Sequence, residues 1–193
     1  MSLAPPPKTG LEGHDERGNS LPEERGAGPF GLLFMALVAV FVVFGVVRPL
    51  VTEPFGITTD SMAPTLRAGD SVLATKFSYV FSGPDRGDLV LFEAPDDGAP
   101  TIKRVAGEPG DTVAIRDGVL FVNGEGRREA YVDYNLADST FMGPTEVPEG
   151  HLYLMGDNRA NSLDSRSYGP VPRGNVLGGV PLRLWPLERA GPL

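Results

Sequence analysis

The chain has no cysteine, and that removes several chemistries at once. It excludes a disulfide framework, a thiol nucleophile and a zinc site built on thiolates. Histidine is nearly absent. His14 and His151 are the only two in 193 residues, and their separation argues against a His-based metal centre. Lysine is scarce too: of 17 basic residues, three are lysines (Lys8, Lys76 and Lys103) and 14 are arginines. The net charge is −8, with no basic stripe to neutralise phosphates, so nucleic acid is not an expected partner. No G-x-S-x-G elbow, S-x-x-K, H-E-x-x-H or P-loop signature occurs.

What is present divides into three regions. Residues 1–29 are rich in Pro, Gly and charge without any apolar period, which reads as a disordered tail on the cytoplasmic side. Phe30–Val47, "FGLLFMALVAVFVVFGVV", carries no charge over 18 residues. As a helix it would cover ~27 Å against a hydrocarbon core of ~30 Å. Leu50 and Val51 extend it past Arg48, whose head group can snorkel. The expectation is one uncleaved transmembrane signal anchor over 30–51, weighed against a buried core helix and a cleavable signal peptide. Lys8, Arg17 and Arg25 before the span, against Arg48 after it, favour an N-terminus in the cytoplasm.

Residues 52–193 alternate short apolar runs with turn residues, as in "DLVLFEA", "TIKRVAG" and "HLYLMGD". Asp117-Gly118 between two alternating runs signals a hairpin. The expected fold is mainly β: a coiled antiparallel, barrel-like sheet forming an extracytoplasmic catalytic domain. Residues 124–150 are less patterned and read as a small β excursion or a long loop. Arg86-Gly87-Asp88 spells an adhesion tripeptide but reads as a tight turn entering a strand.

The chemistry centres on "TTDSMAPTLRAGD", residues 58–70, where Ser61 sits in a stiff, partly apolar turn. A serine hydroxyl attacks only when a base takes its proton. His151 could do so, but it lies in an apparent strand and would need an orienting carboxylate. A lysine could do so if burial lowers its pKa from ~10.4. Lys103 shares a strand face with Thr101 and Val105, and Lys76 shares one with Ala74 and Ser78. The more apolar face favours Lys103 without excluding the others. "GDNRANSLDSR", residues 156–166, reads either as a solvated loop or as a fixed ion-pair network.

Four of these stretches, in this order, resemble the bacterial type I signal peptidases, a family of membrane-bound serine–lysine peptidases. They are "SMAPTL" (61–66), "GDSVLA" (69–74), "KRVAGEPGD" (103–111) and "GDNRANSLDSR" (156–166), and the likeness runs from about Arg48 to Val171. The resemblance implies that Ser61 is the nucleophile and Lys103 its base. It implies an oxyanion hole formed by the Ser61 amide and Thr59, where many members carry serine. Ser162 would orient the lysine, Asp164 and Arg166 would form a supporting ion pair, and Arg104 is the box's second basic residue. Ala106 departs from the Ile or Val common there. The implied substrates are secretory preproteins with small residues one and three positions before the cut. The implied location is the plasma membrane, in contact with lipid, and the implied chemistry needs no metal or cofactor. Two other readings compete: a self-cleaving regulator using the same dyad, and an inactive, membrane-tethered module that binds peptides.

Overall fold

Two-residue turns set the local geometry of the β-rich region. Asp117 (φ 50°) and Gly118 (φ 74°) both take positive φ, as the tight hairpin turn between right-twisted strands requires. They join β5 (Thr112–Arg116) to β6 (Val119–Val122), paired from Val113 with Val122 to Arg116 with Val119. Asn123 (φ 55°) and Gly124 (φ 83°) repeat the device and lead into β7 (Glu125–Arg127).

The computed structural model describes residues 29–42, 52–76, 78–79, 82–134 and 141–193. It contains two units. The first holds a single described element, helix α1 (Pro29–Phe41), whose side chains from Phe30 on are almost all exposed within its own chain. Among the described residues no helix is both long and apolar enough to cross a membrane. The rest of the expected anchor, 43–51, and the tail 1–28 lie outside the described residues.

The second unit is two antiparallel sheets. The larger contains β1 (Thr52–Gly56), β2 (Ser71–Thr75), β3 (Leu89–Glu93), β4 (Pro100–Gly107), β9 (His151–Met155), β10 (Val171–Pro172), β11 (Val176–Trp185) and β12 (Gly191–Pro192). Its order is β1-β2-β11-β3-β4-β9-β10, with β12 added to β11. The smaller has the order β7-β6-β5-β8, with β8 spanning Met142–Glu146. The weakly patterned 124–150 stretch therefore supplies two strands to that sheet. The mainly β, antiparallel architecture matches the expectation.

Three apolar clusters fill the unit, and one of them fixes the loop between β1 and β2. Met62 and Leu66 from that loop pack with Val72, Leu89, Leu91 and Ile102 from the larger sheet. Both are fully buried, at roughly 1.5–3 kcal/mol each. That offsets part of the ordering entropy of a loop with little regular structure. A second cluster packs Val113, Ile115, Leu120 and Val122 of the smaller sheet against Ala106, Tyr153 and Met155.

Strand β4 departs from simple alternation. From Ile102 onward every residue is buried, including both Lys103 and Arg104. Lys103 lies opposite Val90 of β3, and Arg104 opposite Leu89 of β3 and Met155 of β9. One side of β4 is covered by the loop that carries Ser61. The other receives an aromatic lid, since Tyr131 lies 3.8 Å from the Arg104 guanidinium.

Candidate active site

The β1–β2 loop is closed at its neck by paired backbone bonds. The Ile57 amide donates to Asp70 O at 2.8 Å, and the Gly69 amide donates to Ile57 O at 2.9 Å. Inside the loop the Leu66 amide donates to Met62 O at 2.8 Å, which makes one helical turn beginning just after Ser61. Asp60 caps the interior by accepting the Ala68 amide at 2.9 Å. Ser61 is thus held by a packed turn with two apolar plugs beneath it.

The loop delivers Ser61 to Lys103. Lys103 Nζ lies 2.8 Å from Ser61 Oγ, and the lysine is only 3% exposed. Thr59 Oγ1 approaches the same oxygen at 3.3 Å. These residues floor a cleft of about 370 Å³ whose walls include Pro100, Thr101, Leu163 and Tyr168. A smaller recess of about 60 Å³ opens beside Ser61, lined by Phe55, Ile57, Met62 and Ile102. The other candidate bases are elsewhere. Lys76 is an exposed partner of Glu53 at 2.5 Å, and His151 Nδ1 bonds to Glu149 O at 3.0 Å. Neither lines the cleft.

The 156–166 segment is a network and not a solvated loop. The Asn158 amide donates to Ser61 O at 3.1 Å, and its side-chain amide donates to Asp60 O at 3.1 Å. Gly156 is required by close approach. A Cβ there would lie 2.5 Å from Ser61 O and 2.2 Å from Ser162 Oγ. Asp164 is completely buried and takes a fork from Arg166, with both Nε and Nη2 at 2.9 Å. It also accepts the Gly156 amide at 3.0 Å. Ser162 Oγ is buried against Gly156. It faces the Asp164 carboxylate closely enough to favour the charged form, short of a regular hydrogen bond.

Asp157, Arg159, Glu129 and Tyr131 carried no assigned role in the sequence reading. Asp157, 1% exposed, receives Arg104 Nε at 2.9 Å and Nη2 at 2.7 Å, and also the Thr65 hydroxyl at 2.5 Å. It therefore ties the strand that carries Lys103 to the loop that carries Ser61. The third Arg104 bond goes to Gly87 O at 2.7 Å, which makes this arginine's burial tolerable. Arg159 forms a buried pair with Glu129, and Tyr131 donates to the same carboxylate at 2.8 Å. Asp157 stood inside a quoted motif, but its partner is 53 residues away. Glu129 lay in a stretch without strand periodicity.

The electrostatics of Lys103 follow from this geometry. Burial pushes its pKa down from the ordinary lysine value, Arg166 adds to that, and Asp164 and Asp157 pull it back up. For Asp164, burial alone would raise the pKa. The Arg166 bonds and charge, with the Gly156 amide, outweigh burial and hold it below the ordinary carboxylate range.

A scan against family models matches residues 31–185 to the family described as signal peptidase, peptidase S26. The chain belongs to the signal peptidase family. The peptidase is 38% identical over 159 residues to the signal peptidase I of Leptolyngbya laminosa, covering 76% of this chain and 75% of that one. It is 37% identical over 174 residues to the probable signal peptidase I-1 of Synechocystis, covering 84% of each. A thylakoidal processing peptidase 1 from Arabidopsis thaliana matches at 38% identity, over 77% of this chain and 46% of that one. A crystal structure of a signal peptidase I from Enterococcus faecalis gives a TM-score of 0.45 at 33% identity, over 51% of this chain and 97% of that one. The peptidase is thus a hydrolase of peptide bonds, a serine endopeptidase by family.

The opposed pulls on Lys103 make a signed prediction. Arg166→Gln should raise the Lys103 pKa, because Asp164 is left uncompensated beside it. Asp164→Asn should lower it, because Arg166 remains. The acid limb of the cleavage-rate profile against pH should move up in the first variant and down in the second. Asp164→Ala, which strands a partly buried guanidinium, should cost roughly 3–5 kcal/mol in urea unfolding. The folded-state pKa of Asp164 is depressed, so its contribution is present above the unfolded carboxylate pKa and lost as pH falls through the folded value. Unshifted limbs with unchanged unfolding midpoints would show that the pair does not bear on the lysine.

Proposed function

We propose that the peptidase removes signal peptides from secretory preproteins by a Ser61–Lys103 dyad. The observation that carries this reading is the 2.8 Å contact between Lys103 Nζ and Ser61 Oγ, with a nearly inaccessible lysine, at the floor of a cleft. Neutral Lys103 takes the proton as Ser61 Oγ attacks the scissile carbonyl. The Ser61 amide and the Thr59 hydroxyl stabilise the oxyanion, a contribution of roughly 3–4 kcal/mol per donor in other hydrolases. Lys103 then gives the proton to the leaving amine. Water, deprotonated by the same lysine, opens the acyl-enzyme and regenerates the serine. Asp164 and Arg166 hold the local charge balance, Arg104 braces the strand, and Ser162 packs the floor beside Gly156. The small recess beside Ser61 suits the short side chains expected before the cut.

The domain sits at a membrane surface in this reading. The uncharged run from Phe30 supplies one span with the N-terminus in the cytoplasm and the catalytic domain outside it, in contact with lipid. Helix α1 supports this, being apolar around its whole circumference. Ten residues from Val51 reach at most ~35 Å, which keeps Ser61 near the bilayer where a signal peptide emerges.

Two measurements test the proposal. The first is preprotein cleavage from pH 6 to 10 by variants of the full chain in detergent. The wild-type rate should rise with pH through the lowered lysine pKa. Lys103→Arg should be inactive, because guanidinium keeps its proton. Lys76→Arg and His151→Ala should cleave normally. Cleavage by Lys103→Arg at the wild-type rate would end the dyad, and loss confined to His151→Ala would pass the role to histidine. The second is a fusion after Leu193 of a reporter active only in the cytoplasm. It should stay silent, and a bright signal would reverse the topology.

A further inference from the structure

Thr65 lies four residues beyond Ser61 in the same turn and is held twice. Its hydroxyl donates to Asp157, as described above. Its carbonyl oxygen accepts from Arg183 Nη1 at 2.5 Å and from Arg189 Nη2 at 3.2 Å, and the same Arg189 nitrogen lies 3.2 Å from Pro64 O. These carbonyls sit at the end of a helical turn, where backbone oxygens lack intrahelical partners and the local dipole is negative. Two guanidiniums satisfy them.

Both arginines are anchored by one carboxylate. Asp70, 4% exposed, accepts Arg189 Nη1 at 3.1 Å and lies 3.8 Å from Arg183 Nη1. It also accepts the Arg67 amide at 3.0 Å, closing the far end of the loop. Arg183 in turn donates to Arg189 O at 2.5 Å. The segment carrying Arg189 is pinned down. It forms a helical turn over Leu187–Arg189, and β12 returns to pair with β11. The Leu193 amide donates to Pro181 O at 3.0 Å, and its side chain packs on the cluster that contains Met62 and Leu66. Residues 186–193 lie beyond the part of the chain matched by the family model, which ends at 185.

We propose that Arg183 and Arg189, braced by Asp70, are positioning residues for the cleavage reaction. They cap the turn that starts at Ser61 and so hold Ser61 Oγ within reach of Lys103. Residues 187–193 are then part of the machinery through this cap. Neither guanidinium lines the cleft that holds Ser61 and Lys103; both act through the loop. The inference rests on the Ser61–Lys103 reading, and the test separates the two.

The test measures kcat, KM, the pH profile and the melting temperature of the full chain in detergent, on a preprotein substrate. Arg189→Ala should lower kcat about tenfold or more, with KM changed less than about twofold, because misplacement of a reacting group costs rate rather than binding. A loosened loop admits water to Lys103, so the acid limb of the profile should also move to higher pH. Arg189→Lys keeps the charge but loses the fork, and should recover only part of the rate. Lys76→Ala, in its exposed pair with Glu53, serves as the unaffected control. Wild-type kcat and profile in Arg189→Ala would overturn the proposal. So would a loss of activity explained entirely by a smaller folded fraction with an unshifted profile. Ser61→Ala is run alongside. If it is inactive while Arg189→Ala behaves as wild type, only the positioning role falls. If it cleaves normally, the dyad falls and the positioning role with it.

Discussion

A lysine side chain enclosed to 3% exposure and directed at a serine hydroxyl 2.8 Å away is the constraint on which the rest of the site depends. An ammonium in that position is costly to desolvate, so enclosure favours the neutral amine. The unfolded chain binds a proton at Lys103 that the folded chain gives up. Folding stability therefore rises with pH between the folded and unfolded lysine pKa values. The surroundings must offset that cost without restoring the charge. Asp164 alone would restore it, and the Arg166 fork on the same carboxylate prevents it from doing so in full.

Enclosure also demands that a loop of irregular backbone stay in place over the lysine. Three kinds of interaction hold it. Met62 and Leu66 plug it into the sheet. Asn158 grips the Ser61 and Asp60 carbonyls. Asp157 links Thr65 to Arg104, the residue after the lysine, so strand and loop share one charge pair. Gly156 allows residues 156–166 to approach the Ser61 backbone more closely than any other residue would permit. Each attachment is modest alone. Together they leave the serine little freedom relative to the amine, which is where orientation contributes most to rate.

Much of this was legible in the sequence where the signal is local. Asp117-Gly118 specifies its hairpin through two positive-φ positions, and the order of short apolar runs gives an antiparallel β domain. The Ser61 and Lys103 stretches, 42 residues apart, could be singled out from their residue types, and the fold brings the two side chains within 2.8 Å. Alternation failed on β4, because a residue facing away from the lysine is buried too, by a carboxylate fork and an aromatic lid that no periodicity encodes. The Glu129–Arg159 pair and the reach of Arg189 to Thr65, 124 residues back, leave no trace in spacing. Long polar side chains meet partners set by topology, so their contacts become readable only after the fold is known.

The scarcity of lysine offers the most direct access to the central claim, that Lys103 is the neutral amine of the site. The chain has three lysines, so selective isotope labelling of lysine side chains gives three resonances that can be assigned by single substitution. The measurement is the NMR titration of the Lys103 side chain in the folded, full-length protein. The account predicts a midpoint clearly below the ordinary lysine value of 10.5, in the direction that burial imposes. A Lys103 that titrates at or above that value would contradict it.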